Sequence, residues 1–166
     1  VEFIFSIRDE PPEDGYSLGD LSLTGNSGSV STRDFTHPDQ RMMVYPSAAD
    51  LLSEIRLLVD RQKGETVFEG IGSMFTVRFS LQKGVIETWH KKTKIDASPL
   101  TTFLNAAING ARSLLDHGKT TVQENRTVLD SLAERIRTFE EWQDSIEICQ
   151  KSTPRNKRQK YRPPEF

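Results

Sequence analysis

Residues 74–90, MFTVRFSLQKGVIETWH, alternate apolar and polar side chains on both sides of Lys83-Gly84, and few folds can absorb that pattern. In a strand, successive side chains point to opposite faces, so a period of two marks a ribbon with one buried side. Glycine reaches positive φ without steric cost and marks the reversal. If the turn has two residues, positions whose numbers sum to 167 stand opposite one another. Phe75, Val77, Phe79, Leu81 and Ile86 then share the core face. On the other face Arg78 stands opposite Trp89, and Ser80 opposite Glu87.

The flanking segments extend this reading. Val1, Phe3, Phe5 and Ile7 alternate as in a strand, and DEPPEDG after them reads as a loop. LSLTGNSGSVST is a second hairpin, reversing at Gly25–Gly28, and Val67–Ile71 is a further strand. Ala48, Leu51, Leu52, Ile55, Leu58 and Val59 have helical spacing, with Ser47 as the expected cap and Gly64 as the expected stop. A second helix is expected from Ser98-Pro99 to Gly118, with Leu100, Phe103, Leu104, Ala107, Ile108, Ala111, Leu114 and Leu115 buried. A third opens at the capping-box pattern Thr121-x-x-Glu124 and runs along Leu129, Leu132, Ile136, Phe139, Trp142, Ile146 and Cys149. Hairpins dominate, and strands and helices are grouped rather than strictly alternating. The fold class implied is α+β: a mostly antiparallel sheet built from hairpins, helices packed on one face, and a long C-terminal helix.

Length admits one domain, expected over residues 1–150, followed by a basic, proline-containing tail over 151–166. The net charge of −2 conceals this division. The tail has six Lys+Arg against one acid, leaving sixteen against twenty-three in the body. Charge blocks of this kind point to interaction surfaces. The single cysteine, Cys149, excludes an internal disulfide and fits a reducing, cytoplasmic location. No stretch has the roughly 20 apolar residues of a membrane-spanning helix. The chain begins with Val1 rather than Met, which is read as a trimmed start compatible with a removed leader.

Chemistry is hard to find. His37, His90 and His117 are too scattered for a ligand set, and no Cys cluster or calcium loop is present, so neither a metal nor another cofactor is expected. His117 is accounted for by the end of a helix dipole. EGIGSMF carries Gly70, Gly72 and Ser73, yet lacks the Lys-Ser/Thr of a phosphate loop and precedes a strand. No nucleophile elbow surrounds any serine, and Cys149 lies on an apolar stripe. A catalytic role is therefore not expected.

Two features suit binding. If the outer face of the 74–90 hairpin is open, Arg78, Glu87 and Trp89 form a polar-aromatic patch of the kind found at binding hot spots; if helices cover it, Trp89 is core. Asp9, Glu10, Glu13, Asp14 and Asp20 form an acidic stretch that would draw a basic protein partner. In the tail, Arg155, Lys157, Arg158, Lys160, Tyr161 and Arg162 could contact phosphates and stack a base, giving weak, non-specific, salt-sensitive nucleic-acid association. Equally, the tail could neutralise Glu140, Glu141, Asp144 and Glu147 on the last helix, within one molecule or in an oligomer through helix and tail.

YPSAADLLSEIRLLVD followed by VFEGIGSMFTVRFSLQKGVIETW resembles a group of small actinobacterial proteins with a Leu-rich helix and a strand containing Phe68, Gly70, Ser73, Phe75 and Phe79. The similarity spans about residues 20–115 and extends to immunity-type proteins of bacterial toxin systems. What it implies is a non-catalytic binding protein that blocks a cognate toxin. Its matching residues are of core type, so they carry fold and assign no contact residue.

Overall fold

The computed structural model describes the backbone of residues 1–152 and the side chains of residues 1–146. Strand β1 (Glu2–Ile7) turns Phe3 inward. A short β2 (Glu13–Asp14) precedes β3 (Leu18–Thr24), which returns antiparallel to β1 with Leu23 opposite Phe3. β3 and β4 (Ser29–Ser31) make the expected hairpin, closed by the Gly25 amide donating to the Gly28 carbonyl at 2.8 Å. β5 (Met42–Met43) also joins β3, completing a four-stranded sheet.

Helix α1 (Val44–Asp60) buries all six residues of its expected stripe. The second sheet follows: β6 (Gly64–Glu69), β7 (Thr76–Gln82), β8 (Val85–His90) and β9 (Thr93–Pro99), in that spatial order and all antiparallel. Lys83 and Gly84 both have positive φ, 52° and 77°, as a two-residue turn that matches strand twist requires. Arg78 is therefore paired with Trp89, Ser80 with Glu87 and Leu81 with Ile86, in the expected register. Helix α2 (Leu100–Thr121), a short β10 (Val122–Glu124) and the long α3 (Thr127–Ser152) complete the described chain.

The architecture is α+β with antiparallel sheets and a long C-terminal helix, but it has two four-stranded sheets rather than one, and a small parallel pair of β2 with β10. Phe3, Phe79 and Phe103 meet at the centre, with ring centroids 5.3–6.4 Å apart and two of the three contacts edge-on. They tie the first sheet, the second sheet and α2 into one core. The tip of the β3–β4 hairpin lies on β9: the Ser27 amide donates to Ile95 O at 2.9 Å, and the Asn26 side chain to Ala97 O at 3.1 Å. A Cβ on Gly25 would stand 2.4 Å from that Ile95 oxygen, so this approach requires glycine.

Several local expectations are corrected. Ser47 does not cap α1; the helix starts at Val44, and the buried Ser47 hydroxyl instead accepts the Ile71 amide at 2.9 Å. The chain leaves α1 through Gln62, at φ 60°, while Gly64 already belongs to β6. Ser98-Pro99 ends β9, and Pro99 rather than Ser98 is the N-cap of α2, whose first helical residue is Leu100. Gly118 does not end α2, which runs three residues further; it is buried against Tyr45 and Leu129, where a Cβ would meet their side chains at 2.7–2.9 Å. The capping-box pattern at Thr121–Glu124 is mostly strand, because β10 pairs with β2.

Candidate partner-binding surface

Alternation along all four strands of the second sheet decides which side chains reach solvent. Phe68, Val77, Phe79, Leu81, Ile86 and Ile95 point inward and are buried. The opposite face carries two rows. Val67, Arg78, Trp89 and Lys94 occupy paired positions along one, and Glu65, Ser80, Glu87 and Ala97 along the other. The face is open: Val67 is 54% exposed and Glu65 is exposed. Of the two arrangements compatible with the sequence, the structure has the one in which Trp89 is half-buried and outside the core, with no helix over it among the described residues.

Trp89 organises the surface. The Arg78 guanidinium carbon lies 5.3 Å from its ring centroid and Lys94 Nζ 5.6 Å from it, so two cations contact one indole. Trp89 Nε1 donates to Glu87 Oε2 at 3.2 Å, and Lys94 donates to Glu87 Oε1 at 2.5 Å. Arg78 Nη1 donates to Glu65 at 2.8 Å. Hydrogen bonds from Lys94 and Trp89 hold the Glu87 carboxyl below its ordinary value. The result is an aromatic platform whose long side chains already contact one another, an arrangement that lowers the entropy a partner must overcome. Sequence reasoning had named Arg78, Glu87 and Trp89; Lys94 and Glu65 were missed, because β9 was not recognised and the β6 register was not assigned.

The N-terminal acids do not form the exposed cluster expected of them. Glu13 is 7% exposed, with Thr121 Oγ1 donating to it at 2.8 Å and His117 Nε2 lying 2.9 and 3.1 Å from its two oxygens. The Tyr45 hydroxyl, 3.4 Å from Glu13, is pushed up to about 12 by burial and by the Glu13 charge. His117 is thus explained by a specific carboxylate, beyond the helix dipole. Asp20 is fully buried and accepts from Arg8 at 2.7 Å, Arg33 at 2.8 Å and Thr32 at 2.6 Å. Asp9 and Asp14 accept the backbone amides of Leu18 and Tyr16. Glu10 is exposed. The physical reason is that these carboxylates satisfy donors of the fold itself: loop amides for Asp9 and Asp14, and side-chain donors for Glu13 and Asp20.

On α3, Glu140 pairs with Arg112 and Glu141 with Arg137, each at 2.5 Å, so these acids have cations without the tail. Arg155, Lys157, Arg158, Lys160, Tyr161 and Arg162 lie outside the described residues, as do the side chains of Glu147 and Cys149. Among the described residues no group of three or more His, Cys, Asp or Glu side chains could hold a metal, and no helix is long and apolar enough to cross a membrane.

No protein-family model, curated protein or solved structure matches the chain.

Proposed function

We propose that this chain is a non-catalytic protein-binding module of the immunity type, which occupies and blocks a basic protein partner such as a toxin. The observation that carries the reading is the open sheet face on which Arg78 and Lys94 flank Trp89. Trp and Arg are the residue types most enriched at the energetic centres of interfaces, and here they are held in place before any partner arrives. The face itself balances Arg78 and Lys94 against Glu65 and Glu87. Preference for a basic partner rests instead on the excess of acids over bases in residues 1–150. Its single cysteine suits a reducing, cytoplasmic setting.

The test is co-expression with the product of the adjacent gene, followed by gel filtration at low and high salt. The expected result is a stoichiometric complex that weakens as salt rises, with affinity lowered at least about tenfold by Trp89→Ala. Absence of a complex at low salt, or full affinity in both Trp89→Ala and Arg78→Ala, overturns the reading.

A further inference from the structure

The connection between β6 and β7 is held on every side, yet it exposes large apolar groups. Within it, the Gly70 amide donates to Phe75 O at 3.0 Å and the Ser73 amide to Gly70 O at 2.9 Å. Towards its surroundings, Ser73 Oγ donates to Gln40 O at 2.7 Å, the Ile71 amide to Ser47 Oγ at 2.9 Å, and the Met43 amide to Ile71 O at 2.9 Å. Gly70 packs so closely on Met42 that a Cβ would lie 2.7 Å from its terminal methyl. A turn fixed this thoroughly could have hidden its side chains. Instead Ile71 is 38% and Met74 64% exposed, and Tyr16 nearby is 49% exposed.

These residues border two adjoining depressions that share Ile71. One is a cleft of about 330 Å³ between the start of α1 and α3, bounded by Tyr16, Ile71, Pro46, Ala49 and Val128, with Asp50 and Arg135 among its polar groups. The other, shallower, runs past Met74 to Glu69 and Asp39. Asp39 already has Arg41 at 2.6 Å and Arg8 at 3.6 Å. Asp50 has no comparable partner among the described residues: burial and the charge of Glu54 raise its carboxyl above the ordinary value, against the opposing pull of Arg135. A cation brought to Asp50 would relieve that penalty. Rigid, exposed apolar groups beside an under-compensated acid make a surface complementary to an apolar side chain adjoining a basic one.

We propose that the Tyr16–Ile71–Met74 ridge and the cleft beneath it form a second docking surface, taking an amphipathic basic segment of a partner protein. An apolar side chain enters over Pro46, Ala49 and Val128, and a neighbouring ammonium or guanidinium pairs with Asp50. Met74 supplies an adaptable thioether contact at the rim. The inference goes beyond the sheet-face reading, since none of Glu65, Arg78, Glu87, Trp89 or Lys94 borders either depression.

The experiment is selection of phage-displayed random dodecapeptides on the full chain, followed by fluorescence anisotropy with one enriched peptide. Enriched sequences are expected to place Lys or Arg within a few residues of a large apolar side chain. Combined Ile71→Ser and Met74→Ser should weaken the peptide at least about tenfold and Asp50→Asn several-fold, with Trp89→Ala without effect. Ile71 and Met74 are exposed, so an unchanged urea midpoint verifies that the variant folds. Enrichment of peptides without basic residues, or of none at all, overturns the proposal. Loss of binding with Trp89→Ala but not with the ridge variant moves the contact to the sheet face, sinking this inference while leaving the proposed function standing. Self-association abolished by the ridge variant would assign the surface to a second copy of the chain and equally overturn it. Failure of the adjacent gene product to bind would leave the peptide result untouched.

Discussion

Arg78 stands directly across from Trp89 in the β7–β8 ladder, its guanidinium carbon 5.3 Å from the indole centroid, on a face that no helix covers among the described residues. Because the pair is partly solvated, its attraction is worth about 0.5–1 kcal/mol. A double-mutant cycle with Arg78→Ala and Trp89→Ala, read by urea unfolding, should return a coupling energy of about that size. The Trp89 contribution to fluorescence should also change in Arg78→Ala. A coupling indistinguishable from zero would show that the stack is not maintained in solution.

Asp20 should dominate acid sensitivity in the first sheet. Burial disfavours its charge, but hydrogen bonds from Thr32, Arg33 and Arg8 outweigh that and hold its carboxyl below the ordinary value of 3.8. A depressed folded pKa contributes stability that is complete above the ordinary value and is lost as pH falls through the folded one. Urea midpoints measured from pH 6 down to pH 2 should therefore fall more steeply for the native chain than for Asp20→Asn. At neutral pH Asp20→Ala should cost about 2–4 kcal/mol, since Arg33 and Thr32 lose their acceptor and Arg8 keeps only the longer pair with Asp39.

Two glycines of α2 should reject alanine for different reasons. At Gly118 a methyl meets the Tyr45 ring and the Leu129 side chain, and Tyr45 is fully buried. Overpacking of about 1–3 kcal/mol should exceed the roughly 1 kcal/mol that alanine gains in helix propensity. At Gly110 the obstacle is the Phe3 carbonyl oxygen, 2.6 Å from the added carbon, and backbone yields less readily. Thermal or urea unfolding should rank Gly110→Ala as the more damaging.

Ser47→Ala should loosen the β6–β7 turn selectively. It leaves the Ile71 amide without its acceptor, a loss of about 1–2 kcal/mol where the group stays shielded from water. Hydrogen exchange should accelerate at Ile71 and Met43, while amides of β7 and β8 keep their protection. Uniform acceleration across the domain would mean that Ser47 supports the whole fold instead.

Which of these features could be read in the amino-acid order follows from how local their causes are. The β7–β8 register needed only a period of two and a turn that tolerates positive φ, so Arg78 and Trp89 could be set opposite each other without coordinates. The stripes of α1 and α2 were equally local. Strand β9 was hidden because Asp96 and Ser98 look like turn or cap residues, yet both are buried, with Asp96 accepting the Asn26 amide from a hairpin seventy residues earlier. Glu13 was read as a surface acid for the same reason: its partners His117 and Thr121 lie over a hundred positions away. Of the candidate patch, the hairpin half was legible and the half supplied by β6 and β9 was not.

The hairpin tip resting on β9 also limits how this protein can assemble. Asn26 and Ser27 occupy the carbonyls of Ala97 and Ile95, so the second sheet has one edge already engaged and ends on its other side at β6. A sheet that can accept a strand on one side only has a single round of growth available to it. Pairing through β6 would give a closed two-fold dimer or a capped complex, and an open-ended filament is geometrically denied to this sheet.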